Sequence, residues 1–153
     1  MIFISVSDIF KENVDEVLIN AAAVAALDHQ SINLEEVDLT VVVEDNASLQ
    51  DLNRDYREVD APTDVLSFSL NEKDPETNRL YLGDVIISFP KAQEQAAKAG
   101  HTVMAELELL TVHGILHLLG HDHAKPKENE KMWAAQEDIL RALKVEINKW
   151  PED

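Results

Sequence analysis

Thr102-Val103-Met104-Ala105-Glu106-Leu107-Glu108-Leu109-Leu110-Thr111-Val112-His113-Gly114-Ile115-Leu116-His117-Leu118-Leu119-Gly120 decides the fold, because it reads as one helix with almost no polar face. Leu107, Leu109, Leu110, Val112, Ile115, Leu116, Leu118 and Leu119 surround the axis. A helix apolar nearly all round belongs inside a core rather than on it. Thr102 is a suitable N-cap, and Gly120 a natural stop, since glycine enters the left-handed conformation of a helix C-terminus without steric penalty. The rest of the chain must supply layers that cover this segment.

Working outward, Ile2 to Val6 is β-branched and weakly alternating, which suits a first strand. Asp8 precedes a helical run through Leu27, with Val14, Val17, Leu18, Ala21, Ala22 and Ala25 at helical spacing. Val37 to Val43 is a second strand, and Asp45 or Asn46 caps a short helix carrying Leu49, Leu52 and Tyr56. Ala61-Pro62-Thr63 breaks that helix; Val65 to Leu70 is a third strand, Asn71 to Arg79 a polar hairpin loop, and Leu80 to Phe89 a fourth strand interrupted by Gly83. Pro90 opens a helix that ends at Gly100, and a last helix runs from about Glu128 to Ile147, ended by Trp150-Pro151. The expectation is a single α/β (α+β) domain over residues 1–153, a four-stranded sheet covered by helices, with a buried central helix.

Composition agrees with one domain: 153 residues, 45% hydrophobic, with no linker-like tract or internal repeat. The apolar stretch Val17 to Leu27 includes Asn20 and is too short to span a bilayer. Met1 to Val6 carries neither a basic region nor a cleavage site, so the expected location is the cytoplasm. The absence of cysteine excludes disulfides and thiolate metal sites, which leaves histidine and carboxylate as the strong ligands. A formal net charge of −17 excludes broad, nonspecific adhesion to nucleic acid. A polyanionic substrate would need a local positive site, which a bound dication and a nearby arginine could provide.

His113 and His117 are four residues apart, so on a helix both rings project from one face with Cβ atoms about 5–6 Å apart. Gly120 lets the chain turn back and deliver His123. Three nitrogen ligands at about 2.0–2.1 Å leave a tetrahedral zinc one open position, the arrangement of a catalytic site. The spacing equals that of the metzincin proteases, but Gly114 stands where their general base would be. His121 competes with His123 as third ligand; His123 is preferred, with His121 at the rim of the site. Asp122 either orients a ligand imidazole or caps the turn. His29 and His101, outside the cluster, are expected to face solvent or cap locally.

Several short pieces together resemble one family. They are Leu52-Asn53 with Tyr56-Arg57, Thr63-Asp64-Val65-Leu66-Ser67-Phe68, Leu82-Gly83-Asp84-Val85-Ile86, the three-histidine run, and Met132 with Gln136-Glu137. In that order and spacing the chain resembles the YbeY family of bacterial rRNA maturation factors, regarded as metal-dependent endoribonucleases. The resemblance implies one zinc ion, or another divalent metal, at His113, His117 and His123, with catalytic roles for Arg57 and His113. It also implies action on single-stranded regions of rRNA at the 3′ end of the small-subunit RNA, ribosome quality control, and the small subunit with its associated proteins as partners. The family commonly has tyrosine at the position of His121 and proline at that of Ser69.

Phosphodiester cleavage needs a nucleophile, stabilisation of phosphoryl charge, and a proton for the leaving oxygen. A three-histidine zinc can supply the first two, and the planar fork of Arg57 pairs bidentately with phosphate. His121, Asp64 and Asp84 are the candidate acids or bases, although Asp64 more simply caps the backbone before the third strand. Two other readings compete: a zinc amidase or peptidase, against which Gly114 counts, and a non-catalytic ribosome-assembly factor whose metal fixes the turn after Gly120.

Overall fold

The computed structural model describes residues 1–61, 63–122 and 124–147. Four strands, β1 (Ile2–Val6), β2 (Val37–Glu44), β3 (Val65–Lys73) and β4 (Leu80–Ser88), form one sheet in the order β1-β2-β4-β3. β1, β2 and β4 are mutually parallel, and β3 runs antiparallel to β4 along the edge. Among the described residues five α-helices accompany them: α1 (Glu16–His29), α2 (Asn46–Arg57), α3 (Phe89–Ala99), α4 (Val103–Leu118) and α5 (Pro126–Ala142). The expected α+β fold, with its four strands, is what the chain adopts.

α4 is the interior helix, packed against α1, α3, α5, β3 and β4. Ala105 through Val112 is buried without interruption. Thr102 caps its start by accepting from the Ala105 amide at 3.0 Å. Its end is a Schellman turn, in which the amides of Gly120 and His121 donate to the carbonyls of His117 and Leu116, each at 3.0 Å. Gly120 has φ +96°, the conformation that this turn asks of glycine. Gly83 serves a different need: a Cβ there would lie 2.0 Å from the Phe68 carbonyl oxygen, so only glycine lets β3 and β4 close up beside the register shift.

Three boundaries differ from the sequence expectation. The run expected as one helix from Asp8 to Leu27 is a 3₁₀ segment, Asp8–Asn13, then an extended Val14, then α1. Asp15 sets that break, because its carboxylate accepts from the Val17 amide at 3.0 Å and makes Asp15 an N-cap. β3 continues to Lys73, since Glu72 and Lys73 still pair with Tyr81 and Leu80, and the loop shrinks to a turn held by Asp74 accepting from the Glu76 amide. α5 starts at Pro126, a first-turn position that lacks no needed donor, and ends at Ala142 rather than Ile147, with Lys144 left-handed at φ 60°. Pro62 and Trp150-Pro151, read as breakers, lie outside the described residues.

Arg79 fastens the start of β2 to the β3–β4 turn. Its guanidinium donates to the Asp38 carboxylate at 2.7 Å, to the Val37 carbonyl at 2.8 Å and to the Glu35 carbonyl. That pairing, with the terminal ammonium of Met1, holds Asp38 down to about 2. Of the two placements expected for His101, facing solvent or capping locally, the first does not hold. Its side chain is 2% exposed and meets Glu106 at 2.6 Å, because the tight Gly100 turn folds it back over the start of α4. His29 is half-exposed and contacts Asp138 at 3.5 Å.

Candidate active site

Within the buried α4, His113 and His117 are only partly covered, flanked on both sides by fully buried Val112, Gly114, Ile115, Leu116 and Leu118. The i, i+4 spacing brings their ring centroids to 4.8 Å, inclined by 72°. α5 supplies a partner whose placement no sequence period reveals: the His113 Nδ1 lies 2.5 Å from Oε1 of Gln136, which is 1% exposed. A carbonyl oxygen only accepts, so Nδ1 carries the proton and Nε2 carries the lone pair. That tautomer suits a histidine that ligates through Nε2, and an outer hydrogen bond of this kind is how such a ligand is oriented.

The metal-facing chemistry therefore fits at two positions. Among the described residues no three His, Asp or Glu side chains gather around one metal-sized space. His123, the third ligand expected from the sequence, lies outside the described residues. The backbone up to it is shown: the Schellman turn reverses the chain after His117, and Asp122 caps the next turn by accepting from the Ala124 amide at 3.1 Å. That bond is the capping role expected of Asp122; its other expected role, toward a ligand imidazole at His123, falls on a residue outside the described ones.

His121 is partly buried and is tied to the end of α1, with Nε2 2.7 Å from Gln30 Oε1. Gln30 in turn meets His29 Nδ1 at 2.9 Å, and His29 faces Asp138 of α5. Burial, followed by the nearby charges of Lys131 and His29, lowers the His121 pKa, which favours a neutral ring donating from Nε2. No periodicity could have revealed a contact across 91 residues.

Arg57 closes α2. Glu58 adopts a left-handed φ of 59°, the Val59 amide returns to the Asn53 carbonyl at 3.2 Å, and the buried Asn53 side chain donates to the Ala61 carbonyl at 3.0 Å. These bonds fix the direction in which the chain leaves the helix. Arg57 is exposed and makes no ion pair among the described residues, whereas Arg54 is held by Asp51 and Asp55. β3 links this region to the histidine helix, because the Ser67 hydroxyl donates to the Gly114 carbonyl at 3.0 Å.

The two carboxylates considered as acids or bases are placed elsewhere. Asp64 accepts from the Val65 amide at 2.8 Å and from Gln95 at 3.3 Å, so it caps the entry to β3. Asp84 accepts from Tyr81, whose oxygen also accepts from Thr40 at 2.6 Å. Val85 faces Gly114, and strand alternation puts Asp84 on the opposite side of the sheet from the histidines.

Comparison with known proteins bears on this arrangement. Residues 4–144 match the family described as Endoribonuclease YbeY. The chain belongs to the YbeY endoribonuclease family. An Endoribonuclease YbeY of Geobacillus kaustophilus is 47% identical over 136 residues, covering 84% of this chain and 83% of its own. One from Carboxydothermus hydrogenoformans is 46% identical, covering 89% and 93%. A solution structure from Thermotoga maritima is similar over 94% of this chain and 92% of its own, with a TM-score of 0.58 and 26% identity. The family match spans β1 through α5, so it includes the Arg57 helix end, the histidine helix and Gln136.

Proposed function

We propose that this endoribonuclease cuts single-stranded regions of rRNA, at the 3′ end of the small-subunit RNA, through a divalent-metal site on α4 with Arg57 as its phosphate-binding partner. The observation that carries the reading is the His113–His117 pair, half-exposed in an otherwise buried helix, with the His113 tautomer set by Gln136. His113 and His117, joined by His123, would hold the ion, most suitably zinc given nitrogen ligands and no thiolate. When bound, the ion supplies an activated water and polarises a phosphoryl oxygen.

The chain's own residues do the remaining work. α4 is fixed by core packing on every side, which holds the imidazoles in place. Arg57 offers a bidentate fork to a phosphate as charge builds on its non-bridging oxygens. His121, kept neutral and held by Gln30, is the remaining candidate for moving a proton at the rim. Small-subunit association and a cytoplasmic location belong to the same proposal. Among the described residues, no helix is long and apolar enough to cross a membrane.

The peptidase alternative meets a steric obstacle, since a side chain at position 114 would run into Val85. The test is cleavage of a single-stranded RNA carrying the 3′ end of small-subunit rRNA by purified protein. Chelation should abolish cleavage, zinc should restore it, and Arg57→Ala should lower it on the order of a hundredfold with fold and metal content unchanged. Full activity after exhaustive chelation, or in Arg57→Ala, would reject the corresponding role.

A further inference from the structure

Tyr56 is 70% exposed, an unusual position for an aromatic ring beside a core element. Its hydroxyl makes no hydrogen bond among the described residues, so nothing in the fold calls for the phenol. The ring is nonetheless held: it meets Phe68 of β3 edge to face, with centroids 5.5 Å apart and planes inclined by 69°. Ser67 faces α4 and is bonded to the Gly114 carbonyl, so strand alternation turns its neighbour Phe68, and the Tyr56 ring held on it, to the other face of the sheet, across the β3 edge from the histidines. Tyr56 also immediately precedes Arg57, the last residue of α2.

We infer that Tyr56 is a stacking platform for an unpaired base of the RNA substrate, seating the nucleotide whose phosphate Arg57 receives; this rests on the role proposed for Arg57. A nucleotide offers both a flat π-face and an adjacent anion, and Tyr56-Arg57 presents an exposed ring and an exposed guanidinium on consecutive residues. The charge of the whole chain favours the same conclusion. At −17 it cannot gather RNA by long-range attraction to phosphates, so contact with bases must contribute a larger share of the affinity. Stacking on an aromatic ring does so with little regard to base identity. It also discriminates against duplex, whose bases are already stacked on one another.

The test is steady-state cleavage of a short single-stranded RNA by zinc-loaded protein, alongside a set of the same RNA with one abasic position moved along it. Tyr56→Leu should raise KM about tenfold with kcat nearly unchanged, while Tyr56→Phe and Tyr56→Trp keep the parent KM. For the one RNA whose abasic position removes the stacked base, parent and Tyr56→Leu should have the same KM. Arg57→Ala, measured in parallel, should lower kcat on every RNA in the set. An unchanged KM in Tyr56→Leu, a Tyr56→Phe variant as impaired as Tyr56→Leu, or a defect equal across the abasic set would overturn the stacking role. A normal Arg57→Ala beside a defective Tyr56→Leu would instead reject the arginine's role and leave the platform standing. Melting curves of Tyr56→Phe and Tyr56→Trp should overlay the parent, and Tyr56→Leu should lose no more than its edge-to-face contact with Phe68.

Discussion

A Cβ added at Gly114 would stand 2.4 Å from Val85 Cγ1 and 3.2 Å from Ser67 Oγ, so α4 can lie this close to the sheet only with glycine at that position. Gly114→Ala should therefore cost about 1–3 kcal/mol in urea unfolding through overpacking. Gly114→Glu, which restores the peptidase-like pattern, should be worse and yield no peptidase, because its carboxylate would be forced against the strand rather than toward the histidines. A stable Gly114→Glu protein with chelator-sensitive peptidase activity would reverse that order of readings. Glu108 shows a different single-residue effect. It is 6% exposed, and burial, aided by the nearby Asp15, raises its pKa from 4.5 to about 6. Between those values the folded chain keeps a proton that the unfolded chain has released, so stability falls as pH rises through that window and stays lower above it. Glu108→Gln should accordingly be more stable than the parent at pH 7, on the order of 1 kcal/mol, and equal to it at pH 4 by thermal melting. A constant difference at both pH values would assign the effect to packing instead.

At the scale of the element, α4 and its exit turn were legible because their signals are local. Thr102, the continuous leucines and Gly120 each act within a few residues of where they stand. The split before α1 was not legible, since Val14 and the following apolar residues continue a helical period, and only the competing Asp15 cap breaks it. Nor was the length of β3, whose polar end is extended by pairing with β4 rather than by its own sequence. In the candidate site the histidine spacing was readable and Arg57 stood out only through the family resemblance, whereas Gln136 behind His113 and Gln30 behind His121 are tertiary contacts without a sequence period. The exit turn gives a direct test at this scale. Gly120 has open space around its Cα, so Gly120→Ala meets no clash and should cost about 1–2 kcal/mol through its positive φ alone. Because that turn directs the chain toward position 123, metal affinity should fall as well. A variant that lost stability while keeping parent metal affinity would show that the ligands do not depend on the turn.

For the whole molecule, a net charge of −17 implies RNA binding unlike that of basic nucleases. With few phosphate contacts, the logarithm of affinity should fall with a slope of about −1 or shallower against the logarithm of salt concentration. A steep slope would show that many phosphate contacts carry the binding instead. The same molecule is organised around α4, which carries His113 and His117 while belonging to the core, and on which strand, turn and neighbouring helix converge. Everything proposed for the RNA chemistry requires that helix and its exit turn to hold one ion. Metal content per chain, measured on the parent, His123→Ala and His121→Ala proteins, is the most direct test. We predict about one zinc in the parent, loss of most of it in His123→Ala, and retention in His121→Ala. Full metal content in His123→Ala together with loss in His121→Ala would contradict the ligand assignment, and a parent chain that binds no divalent ion would contradict the site itself.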